Sequence, residues 1–172
     1  MTNNNKSAPT GTPEEFGTPL EDLNRRLTDA ETREKLTIRL HISGGMPSQA
    51  YHFDFRTAGN EVTYCELDCT LSGRQGSRES SVLEYDDFSN LLSKLQESQV
   101  LETVQENPRF LPDTVVGYLE ITDGELSRRM YFAADEDQAG VQGKTVSPEL
   151  QAAVEPIYQM AGKLLDMESV KP

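Results

Sequence analysis

In Leu36-Thr37-Ile38-Arg39-Leu40-His41-Ile42 every even position is apolar and every odd one polar. Side chains of an extended strand alternate between two faces, so this pattern specifies a strand buried on one face only. Ser43-Gly44-Gly45 ends it. The alternation returns at once: Tyr51, Phe53 and Phe55 alternate with His52, Asp54 and Arg56. A third strand runs from about Val62 to Leu71, with Cys65, Leu67, Cys69 and Leu71 on one face. A chain that opens this way is committed to an antiparallel sheet.

The connection at Gly59-Asn60 admits two registers. A two-residue turn pairing Ala58 with Glu61 sets Phe53 opposite Glu66 and Tyr51 opposite Asp68. A three-residue loop, Gly59-Asn60-Glu61, sets Phe55 opposite Cys65, Phe53 opposite Leu67 and Tyr51 opposite Cys69. A one-residue slip exchanges the faces, so the register that buries both apolar sets together is expected, with a longer, bulged loop. Further on, Asp123-Gly124 marks a two-residue hairpin turn. That turn sets Ile121 beside Leu126, Gly117 beside Met130 and Val115 beside Phe132, all on the face of Leu119, where only Arg128 is charged. Residues 72–81, polar and containing two glycines, read as a loop.

Helical periods separate these strands. Thr18-Pro19-Leu20-Glu21 is a capping box with proline at the first helical position. Leu20, Leu23, Leu27 and Ala30 form one apolar stripe on a helix expected over 18–34. A second helix starts near Asp86 with Phe88, Leu91, Leu92 and Leu95 at i, i+3, i+4 and i+7. Ser147-Pro148-Glu149 opens a third, which carries Leu150, Val154, Ile157, Ala161 and Leu164, and Pro156 is expected to bend it. The expected class is α+β, an antiparallel sheet of about five strands with helices on one face, in the order α-βββ-α-ββ-α. Residues 1–17, with a single aromatic, are expected as a disordered tail, 35–168 as one domain and 169–172 as a C-terminal tail.

Composition narrows the partners. The 172 residues contain 16 Lys and Arg against 29 Asp and Glu, a formal charge of −13. Such a chain is repelled by phosphate backbones and anionic membranes, so neither nucleic acid nor membrane is expected as a partner. It has no apolar run long enough to span a bilayer and no apolar N-terminal segment of the signal-peptide kind. Two cysteines without a disulfide pattern suit a reducing cytoplasm, the expected location.

Candidate chemistry is thin. His41, His52, Cys65 and Cys69 are the soft ligands, but the histidines fall on faces opposite the cysteines, and the two cysteines are about 13 Å apart along one strand. No metal site is expected, nor any cofactor. Asp135 to Gly140 begins like a calcium loop but has Val146 where a bidentate Glu belongs. Gly143-Lys144-Thr145 lacks the first glycine of a phosphate loop, since Gln138 stands there. No nucleophile has a base beside it, so the chain is read as not an enzyme and without catalytic residues.

Binding surfaces stand out instead. The Leu20/Leu23/Leu27 stripe either packs across its own sheet or anchors in a partner's groove. Val62 and Tyr64, Val116 and Tyr118, and Tyr131 fall on the sheet face away from the core, where they form an aromatic patch if their strands are neighbours.

Between about Leu36 and Leu165 the layout resembles the emfourin-like family, small protein inhibitors of thermolysin-type metalloproteases. The resemblance lies in a first strand ending at Ser43-Gly44-Gly45 and in Phe88-Ser89-Asn90-Leu91-Leu92 on the middle helix. Pro112-Asp113 before a strand containing Tyr118, and Ser147-Pro148-Glu149-Leu150 opening the last helix, complete it. The chain departs from a compact inhibitor by its 35 N-terminal residues, its long third strand and the 72–81 segment. The resemblance implies inhibition through a segment near Gly44, Gly45 and Met46, which glycine lets approach a partner closely. The reading from the residues is a non-catalytic protein-binding domain, an accessory or assembly subunit of a larger complex. Its expected partner-binding residues are Leu20, Leu23, Leu27, Gly44, Gly45, Met46, Tyr64, Tyr118 and Tyr131.

Overall fold

The computed structural model describes residues 23–27, 29, 33–45, 50–70, 72–102, 115–133 and 147–167. The segments expected as tails, 1–17 and 169–172, together with Leu20, Met46, Pro112-Asp113 and residues 134–146, lie outside them. Seven strands are present among the described residues: β1 (Thr37–Gly44), β2 (Tyr51–Ala58), β3 (Glu61–Cys69), β4 (Arg74–Arg78), β5 (Ser81–Val82), β6 (Val115–Thr122) and β7 (Ser127–Ala133). They form one antiparallel sheet in the order β4-β3-β2-β1-β6-β7, with β5 also on β3. Two helices, α1 (Tyr85–Glu97) and α2 (Pro148–Leu164), complete the α+β order expected from the pattern.

The alternating sequence becomes alternating burial. Ile38, Leu40 and Ile42 of β1 are fully buried, with Phe53 and Phe55 beside them on β2 and Leu119 and Ile121 on β6. The helices cover this face only. Phe88, Leu91, Leu92 and Leu95 of α1 and Leu150, Val154, Ile157 and Ala161 of α2 join the same core cluster, and the Tyr158 ring packs tilted against Phe53 with centroids 5.2 Å apart. Ser147 caps α2 by accepting a hydrogen bond from the Leu150 amide at 3.1 Å, and the helix continues through Pro156.

The β2–β3 register is the expected one: Phe55 faces Cys65, Phe53 faces Leu67 and Tyr51 faces Cys69. The extra residue, however, does not sit in the turn. Ala58 pairs with Glu61 across a two-residue turn, and a bulge at Thr63 shifts the register between Arg56 and Thr57. The Thr63 hydroxyl donates to the Arg56 carbonyl at 3.2 Å, which gives the unpaired residue a partner. The bulge corrects the face of Val62. It sits on the turn side of the extra residue and is fully buried, whereas Tyr64, beyond the bulge, stands on the outer face.

The 72–81 segment is not a loop, which raises the strand count from about five to seven. Arg74–Arg78 pairs with Cys65–Cys69, setting Gly76 opposite Leu67. A Cβ on Gly76 would lie 3.1 Å from Met167 and 3.4 Å from Leu165, so this glycine admits the end of the chain over β4. Arg78 donates to the Leu164 carbonyl at 3.1 Å, satisfying one of the open acceptors at the end of α2.

The second hairpin also differs from expectation. Thr122 pairs with Ser127, so the connection is four residues long, Asp123 to Leu126. Asp123 Oδ1 accepts from the amides of Glu125 at 2.9 Å and Leu126 at 2.7 Å, and Thr122 Oγ1 donates to the Leu126 carbonyl at 2.8 Å. These side chains hold a wider loop than a two-residue turn. The register shifts by two, so the face is kept while partners change: Met130 faces Leu119, Phe132 faces Gly117 and Arg128 faces Ile121.

The N-terminal helix is shorter than the 18–34 expected. Residues 23–26 are helical, Asp29 is not, and Arg33–Lys35 is a separate 3-10 turn. The chain must leave the helix to cross Gly59, where a Cβ would meet the Glu34 carbonyl at 3.0 Å, before entering β1. Arg33 ties this connector to α1, donating to Ser89 at 3.0 Å and lying 4.0 Å over the Tyr85 ring. Leu23 and Leu27 are 1% and 0% exposed within the chain's own core. They are therefore structural, which corrects their reading as anchors in a partner's groove.

Candidate protein-docking face

With the described helices on one side, the odd residues of β1 and their neighbours form a second face that none of the described helices covers. The registers arrange it in lines across the strands. One line runs Tyr64, Arg56, Arg39, Glu120, Arg129 over β3, β2, β1, β6 and β7. The next runs Glu66, Asp54, His41, Tyr118, Tyr131 over the same strands.

Asp54 is the centre. It is 4% exposed, and its two oxygens accept from Arg39 at 3.2 and 3.3 Å and pair with Arg56 at 3.0 Å. Burial alone would lower the Arg39 pKa, but the hydrogen bond and charge of Asp54 outweigh it and raise it. Arg39 and Arg56 are thereby fixed over aromatic rings, at 5.5 Å from the Tyr118 centroid and 5.0 Å from that of Tyr64. Arg129 also lies over the Tyr118 ring, at 4.5 Å, bonded to Glu120 at 2.8 Å and to the Tyr131 hydroxyl at 3.3 Å. These hydrogen bonds, that to Tyr131 first, raise its pKa.

The patch expected from the sequence is thus partly assembled. Tyr118 and Tyr131 are neighbours with centroids 5.7 Å apart. Tyr64 stands three strands from Tyr118 and four from Tyr131, linked to Tyr118 through Arg56, Asp54 and Arg39. Its hydroxyl donates to Glu66 at 2.5 Å, which raises its pKa. Val62 is absent from this face, as described, and Val116 is half-buried on it. Gly44 is exposed and Gly45 half-buried at the end of β1, with φ of 132° and 88°, values that favour glycine.

Sequence reasoning missed Asp54, Arg39, Arg56, Glu120 and Arg129 as members of one array, and it weighed His41 and His52 only as metal ligands or as bases for a nucleophile. Each does sit at a polar position of an alternating strand, which was the available signal. Among the described residues no group of three or more His, Cys, Asp and Glu could hold a metal ion. Cys65 and Cys69 are free, and burial pushes the Cys65 thiol up to about 12. Among the described residues no helix is long and apolar enough to cross a membrane.

No family model matches this chain, and no curated protein is significantly similar to it.

Proposed function

We propose that this chain is a non-catalytic protein-binding domain, an accessory or assembly subunit of a larger complex in the cytoplasm, that docks through the uncovered face of its sheet. One observation carries the reading: three tyrosines and three arginines are held in place by one another and by a buried carboxylate on a face that no described helix covers. Tyrosine and arginine are enriched in protein interfaces and at their hot spots, and lysine is depleted. The described lysines, Lys35, Lys94 and Lys163, all lie on helical segments, and the cations of this face are Arg39, Arg56 and Arg129. Side chains already locked lose little entropy on binding. The five strands that carry the array, about 4.8 Å apart and about 26 Å long, offer roughly 600 Å², somewhat under the roughly 800 Å² per partner of a standard interface. The carboxylates support a binding role, since Asp54 is occupied by guanidiniums and Glu66 by Tyr64 and His52.

The test is a pull-down from native lysate at low and moderate salt, comparing the natural chain with Arg129→Glu and Tyr131→Glu. Both substitutions are at exposed positions, so the fold should survive. A stoichiometric partner lost by both variants supports the reading, and a partner retained by both refutes it.

A second reading, inhibition of a thermolysin-type metalloprotease, is favoured by the two consecutive positive-φ glycines that turn the chain out of β1. It expects a protease inhibited by the natural chain and not by a Gly44→Val, Gly45→Val variant.

A further inference from the structure

The chain contains two histidines, and both lie on the proposed docking face with their rings in contact, centroids 5.5 Å apart at 74°. His41 is flanked on its own strand by Arg39 and Ser43, whose hydroxyl lies 3.3 Å from Nε2. From β2 it faces Asp54, Arg56 and His52, and from β6 the Tyr118 ring at 5.4 Å. Its Nδ1 is buried without a hydrogen-bond partner, 3.8 Å from Asp54 Oδ1. His52 Nε2 lies 3.1 Å from Glu66 Oε2, the same oxygen that accepts from Tyr64, and Asp68 is its partner across β3.

We propose that His41 and His52 form one coupled proton switch, which carries the docking face from neutral imidazoles to a doubly protonated pair with a different arrangement of the Asp54-centred array. With neutral imidazoles the two arginines beside the pair are balanced by Asp54 and Glu66. A first proton has a carboxylate to meet. A second creates two imidazoliums in ring contact, beside two guanidiniums that already occupy Asp54. Charges this close titrate as a pair, not as two independent sites. Charging His41 requires its Nδ1 to close on Asp54, which moves Arg39 or Arg56 and so takes from the Tyr118 ring one of its two guanidiniums, or from the Tyr64 ring its guanidinium. The electrostatics agree: burial lowers the His41 pKa, Asp54 opposes that, and Arg39, His52 and Arg56 lower it further. The inference rests on the docking reading for its consequence, since it would make partner binding proton-linked.

The test needs no partner. Imidazole signals of the full chain are followed by NMR through acid titration, and having only two histidines leaves two signals to assign. The expected result is a His41 midpoint below the ordinary imidazole value that rises in both His52→Gln and His52→Phe, the latter keeping a ring in contact. The Arg39 Nε–H signal should move with the second proton. Two independent single-proton curves, each unchanged by replacing the other histidine, overturn the switch, as does an Arg39 signal that is constant throughout. Such a failure leaves the docking reading standing, because that reading is tested separately, by whether Arg129→Glu and Tyr131→Glu retain the partner.

Discussion

Replacing Asp54 with asparagine keeps the shape of the side chain and removes the charge on which the outer face is centred. Arg39 approaches its oxygens at 3.2 and 3.3 Å and Arg56 at 3.0 Å. A hydrogen bond to a charged group contributes about 1.5–3 kcal/mol net, and breaking a buried ion pair costs about 3–5 kcal/mol. Two features reduce that cost. The Arg39 and Arg56 side chains are 30% and 43% exposed, so water screens what they lose, and the asparagine carbonyl keeps one acceptor. One feature adds to it: Arg39 and Arg56 are direct cross-strand partners, and without the carboxylate their like charges face each other. We therefore expect Asp54→Asn to cost about 2 kcal/mol, which lowers Tm by about 4–8 °C in a chain of this size. Thermal unfolding followed by circular dichroism measures this. A double-mutant cycle with Arg39→Gln should show that the two substitutions together cost less than their sum. A variant that melts within about 1 °C of the natural chain, or strict additivity in the cycle, refutes the hub.

Leu27→Ala should destabilise the isolated chain by about 2–4 kcal/mol, because a fully buried leucine leaves a cavity; an unchanged Tm would return that residue to the surface. Gly117→Ala should cost about 1–3 kcal/mol, since its Cβ would lie 2.7 Å from the Phe132 ring and 2.9 Å from Ile42 in a packed core. An equal or higher denaturant midpoint would show that the ring yields freely. The lowered pKa of His41 has a defined sign: the unfolded chain takes up a proton near the ordinary value of 6.5 that the folded chain still refuses. Stability should therefore be full above that pH, fall as the pH drops below it, and level off below the folded-state pKa. His41→Gln should flatten this part of a Tm-against-pH profile, and an unchanged slope would contradict the assignment.

The sheet was legible wherever a strand has one buried face. Ile38, Leu40 and Ile42 announce β1, and the demand that Phe53 meet Leu67 set the β2–β3 register even though the extra residue was misplaced. A bulge at Thr63 and a longer turn serve the apolar pairs equally well, and only the hydroxyl bond to Arg56 and the position of Val62 separate them. In the second hairpin the Asp123 carboxylate, which binds two amides, selects a loop that a two-residue pattern does not reveal. β4 was illegible because Arg74-Gln75-Gly76-Ser77-Arg78 has no apolar alternation; it is held by backbone pairing and by Leu165 and Met167 from the far end of the chain. The docking face suffered the same limit. Its tyrosines and histidines could be assigned to the outer side of their strands, but the centrality of Asp54 depends on β1 lying between β2 and β6, a neighbour more than 70 residues away.

Photo-crosslinking shows whether a protein docks on the outer sheet face. A photoreactive phenylalanine analogue replaces Tyr131 on the outer face or, as the control, Tyr85 on the helical side, where it is 61% exposed. Irradiation in cell extract followed by mass spectrometry reads the adducts. One dominant protein adduct is expected from position 131, absent from position 85 and abolished by Arg129→Glu. An adduct from position 85 alone would place the partner on the helices and contradict it.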